Sequence, residues 1–173
     1  MDKKQKRRQS AAALAGVLFL IFLDQYTKIL AIRYLKEHES FVILKDIFEL
    51  HYLENRGMAF GLMQNQRTFF VLTTTVVFFV LVYFYLKTPV TKKYLPIRIC
   101  TVFLTAGAAG NFIDRLLKGY VVDFFYFSFI DFPIFNVADI FVTVTFFVLL
   151  LLIFFYYKED DFLVYLKKGQ KDL

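Results

Sequence analysis

Polar and apolar positions fall into blocks along this chain. A head holding Lys3, Lys4, Lys6, Arg7 and Arg8 precedes an uncharged run from Gln9 to Leu23. The run continues helically through Asp24, Gln25 and Lys28, which predicts a transmembrane helix from about Ala11 to Leu35. A basic head before an apolar run also describes a secretory signal peptide, but no small-x-small cleavage site closes this one. Residues 36–65 are mixed and too polar to span. The alternation over Phe41–Leu44 and Ile47–Leu53 predicts short strands, and Asn55-Arg-Gly57 predicts a turn. A second uncharged span covers Thr68 to Leu86. A basic loop with Lys87, Lys92, Lys93 and Arg98, broken by Pro89 and Pro96, leads to a third span from about Tyr94 to Leu117. In that span the run Ala106-Gly107-Ala108-Ala109-Gly110 lets a neighbouring helix backbone come close. Lys118-Gly119 ends it, residues 118–135 read as an aromatic loop, and a fourth span runs from about Asn136 to Tyr157. The tail, residues 158–173, is charged and carries Lys158, Lys167, Lys168 and Lys171.

The expected fold class is an all-α polytopic membrane protein. Four transmembrane helices and a small extracytoplasmic lobe with short β-strands form a single integral membrane domain over residues 1–173. Composition agrees: 58% of residues are hydrophobic and 20% aromatic, more than a soluble domain of 173 residues can hide. The net charge of +6 comes mostly from the head, the loop between the second and third spans, and the tail. The 36–65 lobe sets only Lys36, Lys45 and Arg56 against more acidic residues, and the 118–135 loop has only Lys118. Positive-inside then places both termini in the cytoplasm, as an even number of spans requires. Such clusters signal topology, so membrane lipids are expected partners and nucleic acid is not. Cys100 has no partner for an intrachain disulfide, and with His38 and His51 it cannot build a zinc site. No metal or cofactor is expected.

Depth gives the polar residues meaning. Asp24 lies in the outer half of the first span, Asp114 and Arg115 near the outer end of the third, and Asn136 and Asp139 open the fourth from outside. Asp123 sits just beyond the third span. Ionisable groups at membrane depth are costly, so their convergence at one level suggests a site there. Asp24 and Lys28, four apart, share a helix face. They form either an internal salt bridge or a support that shapes the site. Asn111, Asp114 and Arg115 also share a face. Either Asp114 and Arg115 pair structurally, or Arg115 and Asn111 fix loop groups or a substrate. Asp123 and Asp139 lack adjacent cations. Two carboxylates in a low-dielectric site share a proton, one acting as base on water and the other as donor to a carbonyl oxygen. The alternative is one loop aspartate in solvent and one helix-capping aspartate.

Five segments carry a resemblance. Asp24-Gln-x-Thr-Lys28, Asn55-x-Gly57-x-Ala59-Phe60, Gly110-Asn111-x-x-Asp114-Arg115, Val121-Val122-Asp123-Phe124 and Phe135-Asn136-x-Ala138-Asp139 occur in order. The chain in this respect resembles the lipoprotein signal peptidase, or signal peptidase II, family from about residue 15 to 155. The resemblance implies a bacterial plasma-membrane aspartic endopeptidase with its active site near the extracytoplasmic face; a monomer is expected. Such enzymes cut diacylglyceryl-modified prolipoproteins on the N-terminal side of the lipidated cysteine. It implies Asp123 and Asp139 as the catalytic pair. Asn55, Gly57, Asn111, Asp114, Arg115, Asn136, Asp24 and Lys28 would bind substrate or shape the site. Asp131 matches no motif. The residues alone leave two other classes open. One is a small ion-coupled transporter or channel using intramembrane Asp and Arg, which should place polar residues at all depths, whereas the inner halves of the helices read as lacking them. The other is an assembly protein using polar residues as helix glue.

Overall fold

The computed structural model describes residues 3–38, 40–57 and 66–166. The motif residues Ala59 and Phe60, and the tail residues Lys167, Lys168 and Lys171, lie outside the described residues. Among the described residues, four helices are long and apolar enough to cross a membrane. They are α1 (Lys3–Leu35), α2 (Arg67–Lys87), α3 (Leu95–Leu117) and α4 (Val137–Leu151), the last continued by a π-helical turn, Leu152–Tyr156. Their outer faces are apolar. Leu72, Val76 and Phe79 of α2, and Phe146, Phe147 and Leu151 of α4, are exposed, whereas Asp24, Lys28 and Asp114 are fully buried. This inverts the pattern of a soluble bundle and fits hydrocarbon as the surrounding solvent.

Helix α1 begins at Lys3, earlier than its apolar run, because the Lys/Arg head is itself a good helix former. The charged tail also differs from expectation, since it opens with a fifth helix, α5 (Glu159–Leu166). Asp161 accepts from the Lys158 amide at 2.9 Å and pairs with Lys93, while the Tyr94 hydroxyl donates to the Asp161 carbonyl at 2.9 Å. These contacts seat α5 on the α2–α3 connection. The small-residue run acts as expected. A Cβ on Gly107 would lie 2.7 Å from the Ala138 carbonyl oxygen, and one on Gly110 would run into the Asp24 carboxylate. Gly107→Val is therefore expected to push α4 off α3, cost about 2 kcal/mol or more and lower the thermal midpoint.

The expectation that the helix halves nearer the termini lack polar groups is corrected. Arg98, Thr101 and Thr105 are buried there in α3. The two threonine hydroxyls are inconspicuous because each donates back to the carbonyl four residues earlier, Ile97 or Thr101, at 2.8 and 2.7 Å.

The lobe holds β1 (Phe41–Leu44) and β2 (Phe48–Asn55), where the alternation placed strands. The supposed 118–135 loop contains a third strand, β3 (Val121–Tyr126), and the antiparallel sheet runs β1-β2-β3. Gly119, at φ +82°, makes the sharp exit from α3 that a side chain would oppose. Asn55 pairs with Val121 and Leu53 with Asp123. Val122 and Phe124 pack with Ala31 and Leu35 of α1, so strand alternation turns Asp123 to the opposite face.

Candidate functional site

Helix α4 starts with a reciprocal cap. The Asp139 amide donates to Asn136 Oδ1, and the Asn136 amide donates to Asp139 Oδ2, each at 3.1 Å. This is the S/T-x-x-E capping box written with Asn and Asp, and it explains why this helix begins here. The box leaves Asn136 Nδ2 free to reach outward. It donates to Asp123 Oδ1 at 2.6 Å and to Asn111 Oδ1 at 3.1 Å. One buried amide side chain thus links the strand carboxylate to the helix that carries the other.

Each carboxylate has a second amide partner. Asn55 Nδ2 donates to Asp123 Oδ2 at 2.8 Å, and Asn111 Nδ2 donates to Asp139 Oδ1 at 2.7 Å. Asn55 is held by the Gly57 amide, which donates to its Oδ1 at 2.9 Å. Arg115 Nη2 donates to the Gly57 carbonyl at 3.3 Å, and its guanidinium lies 4.7 Å from the Phe70 ring centre.

Behind this layer lies a buried ionic one. The Lys28 ammonium lies 3.0 Å from Asp24 Oδ2 and 3.2 Å from Asp114 Oδ2, and donates to Asn111 Oδ1 at 2.9 Å. Because a cation holds the oxygen of Asn111, its NH2 must face Asp139. Asp24 also accepts from the Ala138 amide at 3.0 Å, an otherwise free donor at the start of α4. Asp114 also accepts from Lys118 at 2.9 Å and from the Val122 amide at 3.2 Å, which ties β3 to α3.

Asp24 and Lys28 therefore form the expected salt bridge and also position Asn111. The structural pairing of Asp114 with Arg115 is replaced by one with Lys28 and Lys118, whose i,i+4 spacing from Asp114 was visible in the sequence. The solvent reading of Asp123 is overturned, since the residue is 1% exposed. The capping reading of Asp139 holds, and in the same geometry Asp139 belongs to the Asp123 network. Gln25, not singled out from sequence, donates to Asp24 and to the Gly110 carbonyl, each at 3.1 Å. Asp131 stands apart, exposed and bonded to the Tyr126 hydroxyl.

Burial, and after it the negative charge of Asp139, push the Asp123 carboxyl up to about 7, against the pull of its Asn55 and Asn136 hydrogen bonds. A carboxyl poised there exchanges a proton near neutral pH, as general acid–base chemistry requires. Among the described residues, no group of three or more His, Cys, Asp or Glu side chains is arranged to hold a metal ion.

Residues 16–155, which contain every residue of this network, match the family described as Signal peptidase (SPase) II. The chain belongs to the signal peptidase II family. It is 47% identical over 133 residues to the lipoprotein signal peptidase of Caldanaerobacter subterraneus subsp. tengcongensis, covering 76% of this chain and 88% of the relative. The lipoprotein signal peptidase of Brevibacillus brevis is 43% identical over 125 residues, covering 72% of this chain and 83% of that one. A solved structure described as a bacterial membrane enzyme, determined in meso at 2.3 Å resolution, superposes with a TM-score of 0.74 at 30% identity, covering 94% of each chain. A second such structure, at 1.9 Å, gives 0.72 at 31% identity, covering 85% of this chain and 95% of that one. Membership of a signal peptidase II family makes the chain a peptidase, and its four apolar helices make it a multi-pass membrane protein.

Proposed function

We propose that this peptidase removes the signal peptide from diacylglyceryl-modified prolipoproteins, cutting on the N-terminal side of the lipidated cysteine, with Asp123 and Asp139 as its catalytic pair. The observation that carries the reading is the shared amide network, in which Asn136 bonds both aspartates and buries Asp123 beside a second carboxylate. One aspartate, ionised, takes a proton from water as the oxygen attacks the scissile carbonyl carbon. The other, protonated, donates to the carbonyl oxygen. Collapse of the tetrahedral intermediate breaks the C–N bond, and the departing amine takes up a proton from the pair. Asn55, Asn111 and Asn136 hold the carboxylates, while Lys28, Asp24 and Asp114 hold Asn111 and β3. Arg115 fixes the Gly57 carbonyl beside the site. The whole chain works as one integral membrane domain, a monomer in the bacterial plasma membrane. Both termini are cytoplasmic, which brings the pair near the extracytoplasmic face, where a lipid-anchored cysteine presents its preceding bond.

The test is cleavage of a diacylglyceryl-modified prolipoprotein by the purified protein, with the new N-terminus read by mass spectrometry. A product beginning at the lipidated cysteine is expected, and an uncut substrate or a cut elsewhere would overturn the reading. The pH profile adds a second check. Asp123 is raised, so its neutral form is favoured in the folded protein. The stability this gives is fully present below the ordinary carboxylate range and is lost as pH rises through about 7. Cleavage should likewise fall as pH climbs past about 7, when the pair gives up its shared proton.

A further inference from the structure

We propose that the groove between α1 and the α2–α3 hairpin, at the end of the bundle opposite the paired carboxylates, binds one anionic phospholipid with its phosphate against Arg98. Arg98 lies near the start of α3, is 5% exposed, and has no part in the proposed chemistry. Its Nη1 donates to the Tyr85 and Thr88 carbonyls at 3.2 and 2.9 Å, and its guanidinium lies 4.0 Å from the Tyr85 ring centre. These contacts satisfy carbonyls at the end of α2.

They occupy one nitrogen of a planar fork that carries five donors. Among the described residues no carboxylate pairs with Arg98. No fully buried side-chain nitrogen among them lacks a partner, so the unbonded edge of Arg98 must meet open space. That space is a cavity of about 320 Å³ lined by Arg98 with Gln9, Ala13, Tyr85, Ile99 and Val102. A second cavity of about 300 Å³ shares Ala13, Tyr85 and Val102 and continues past Val17 and Phe78 toward the middle of the bundle. Arg7 and Arg8, exposed just before Gln9, add positive charge at the same level.

A cation without a carboxylate at the polar end calls for an anion. An apolar slot running from it into the bundle calls for an acyl chain. A phospholipid of the surrounding leaflet supplies both. A signal-peptide head, which is basic, would set cation against cation. Charge-assisted bonds from a guanidinium to phosphate are strong and directional, so the site distinguishes lipids by headgroup charge.

The experiment is native mass spectrometry of the purified full chain with phosphatidylglycerol or phosphatidylcholine of identical acyl chains. The wild type should hold one phosphatidylglycerol roughly tenfold more tightly than phosphatidylcholine. Arg98→Gln should abolish that preference. Because Arg98 also caps α2, Ala13→Leu provides a second variant that fills the groove and leaves the cation in place, and it too should lose the bound lipid. Equal retention of the two lipids by the wild type, or a preference that survives in either variant, would overturn the proposal. Cleavage is not the readout, so the outcome is independent of the peptidase chemistry.

Discussion

Asp123→Asn and Asp139→Asn should each lower prolipoprotein cleavage by about 10³-fold or more, because either change removes a group that must exchange a proton. Neither should unfold the protein. Each asparagine sets its NH2 against a donor, because both oxygens of Asp123 accept from Asn55 and Asn136 and both of Asp139 accept from Asn111 and the Asn136 amide, so each variant should lose about 1–3 kcal/mol and still fold. The control is Asp131→Asn. Asp131 is exposed at φ +48°, a conformation asparagine tolerates, and touches only the edge of the lobe. It should retain full activity. Initial rates on a lipidated substrate, with thermal melts of all three variants, decide the matter. Substantial cleavage by either Asp123→Asn or Asp139→Asn would exclude the two-carboxylate mechanism.

Lys28→Met should produce the largest loss of stability among single substitutions in this network. Lys28, Asp24 and Asp114 are all fully buried, so removing the cation strands Asp24 beside a weakened Asp114. Breaking one partner of a buried pair costs about 3–5 kcal/mol, which lowers the thermal midpoint by roughly 10 °C in a chain of this size. Activity should fall further than stability explains, because the Asn111 oxygen loses the ammonium that turns its NH2 to Asp139. Adding Asp24→Leu should restore part of the stability and little of the activity. A double-mutant cycle on both readouts separates the two roles. If Lys28→Met melts like the wild type, the ionic layer does not hold the bundle.

The four helices were legible because hydrocarbon demands long uncharged runs, and the strands of the lobe because short runs of β-branched and aromatic residues stand between polar ones, although β1 is exposed on both faces. The site was legible for the same reason that makes it costly: Asp24, Asn111, Asp114 and Asp139 stand out against Phe, Leu, Val and Ile. Strand β3 was not. Val121–Tyr126 is nearly all apolar or aromatic apart from Asp123, since both faces of it are buried, so period-two alternation is erased. With β3 went the burial of Asp123 and the tie from Asp114 to the Val122 amide, a backbone contact that no spacing rule announces. Helix α5 was hidden in a charged tail, where its docking depends on Lys93 and Tyr94 more than sixty residues earlier.

The two aspartates ride on different kinds of element, one on a strand of the lobe and the other at the mouth of α4. During synthesis α1, the first hairpin of the sheet, α2 and α3 emerge before either aspartate does, and Asn136 and Asp139 emerge last of the network. On the proposed chemistry, a chain still being inserted has no acid–base pair at all. The pair comes into being only when α4, the last of the four long helices, seats its Asn136 cap against Asp123 of the sheet.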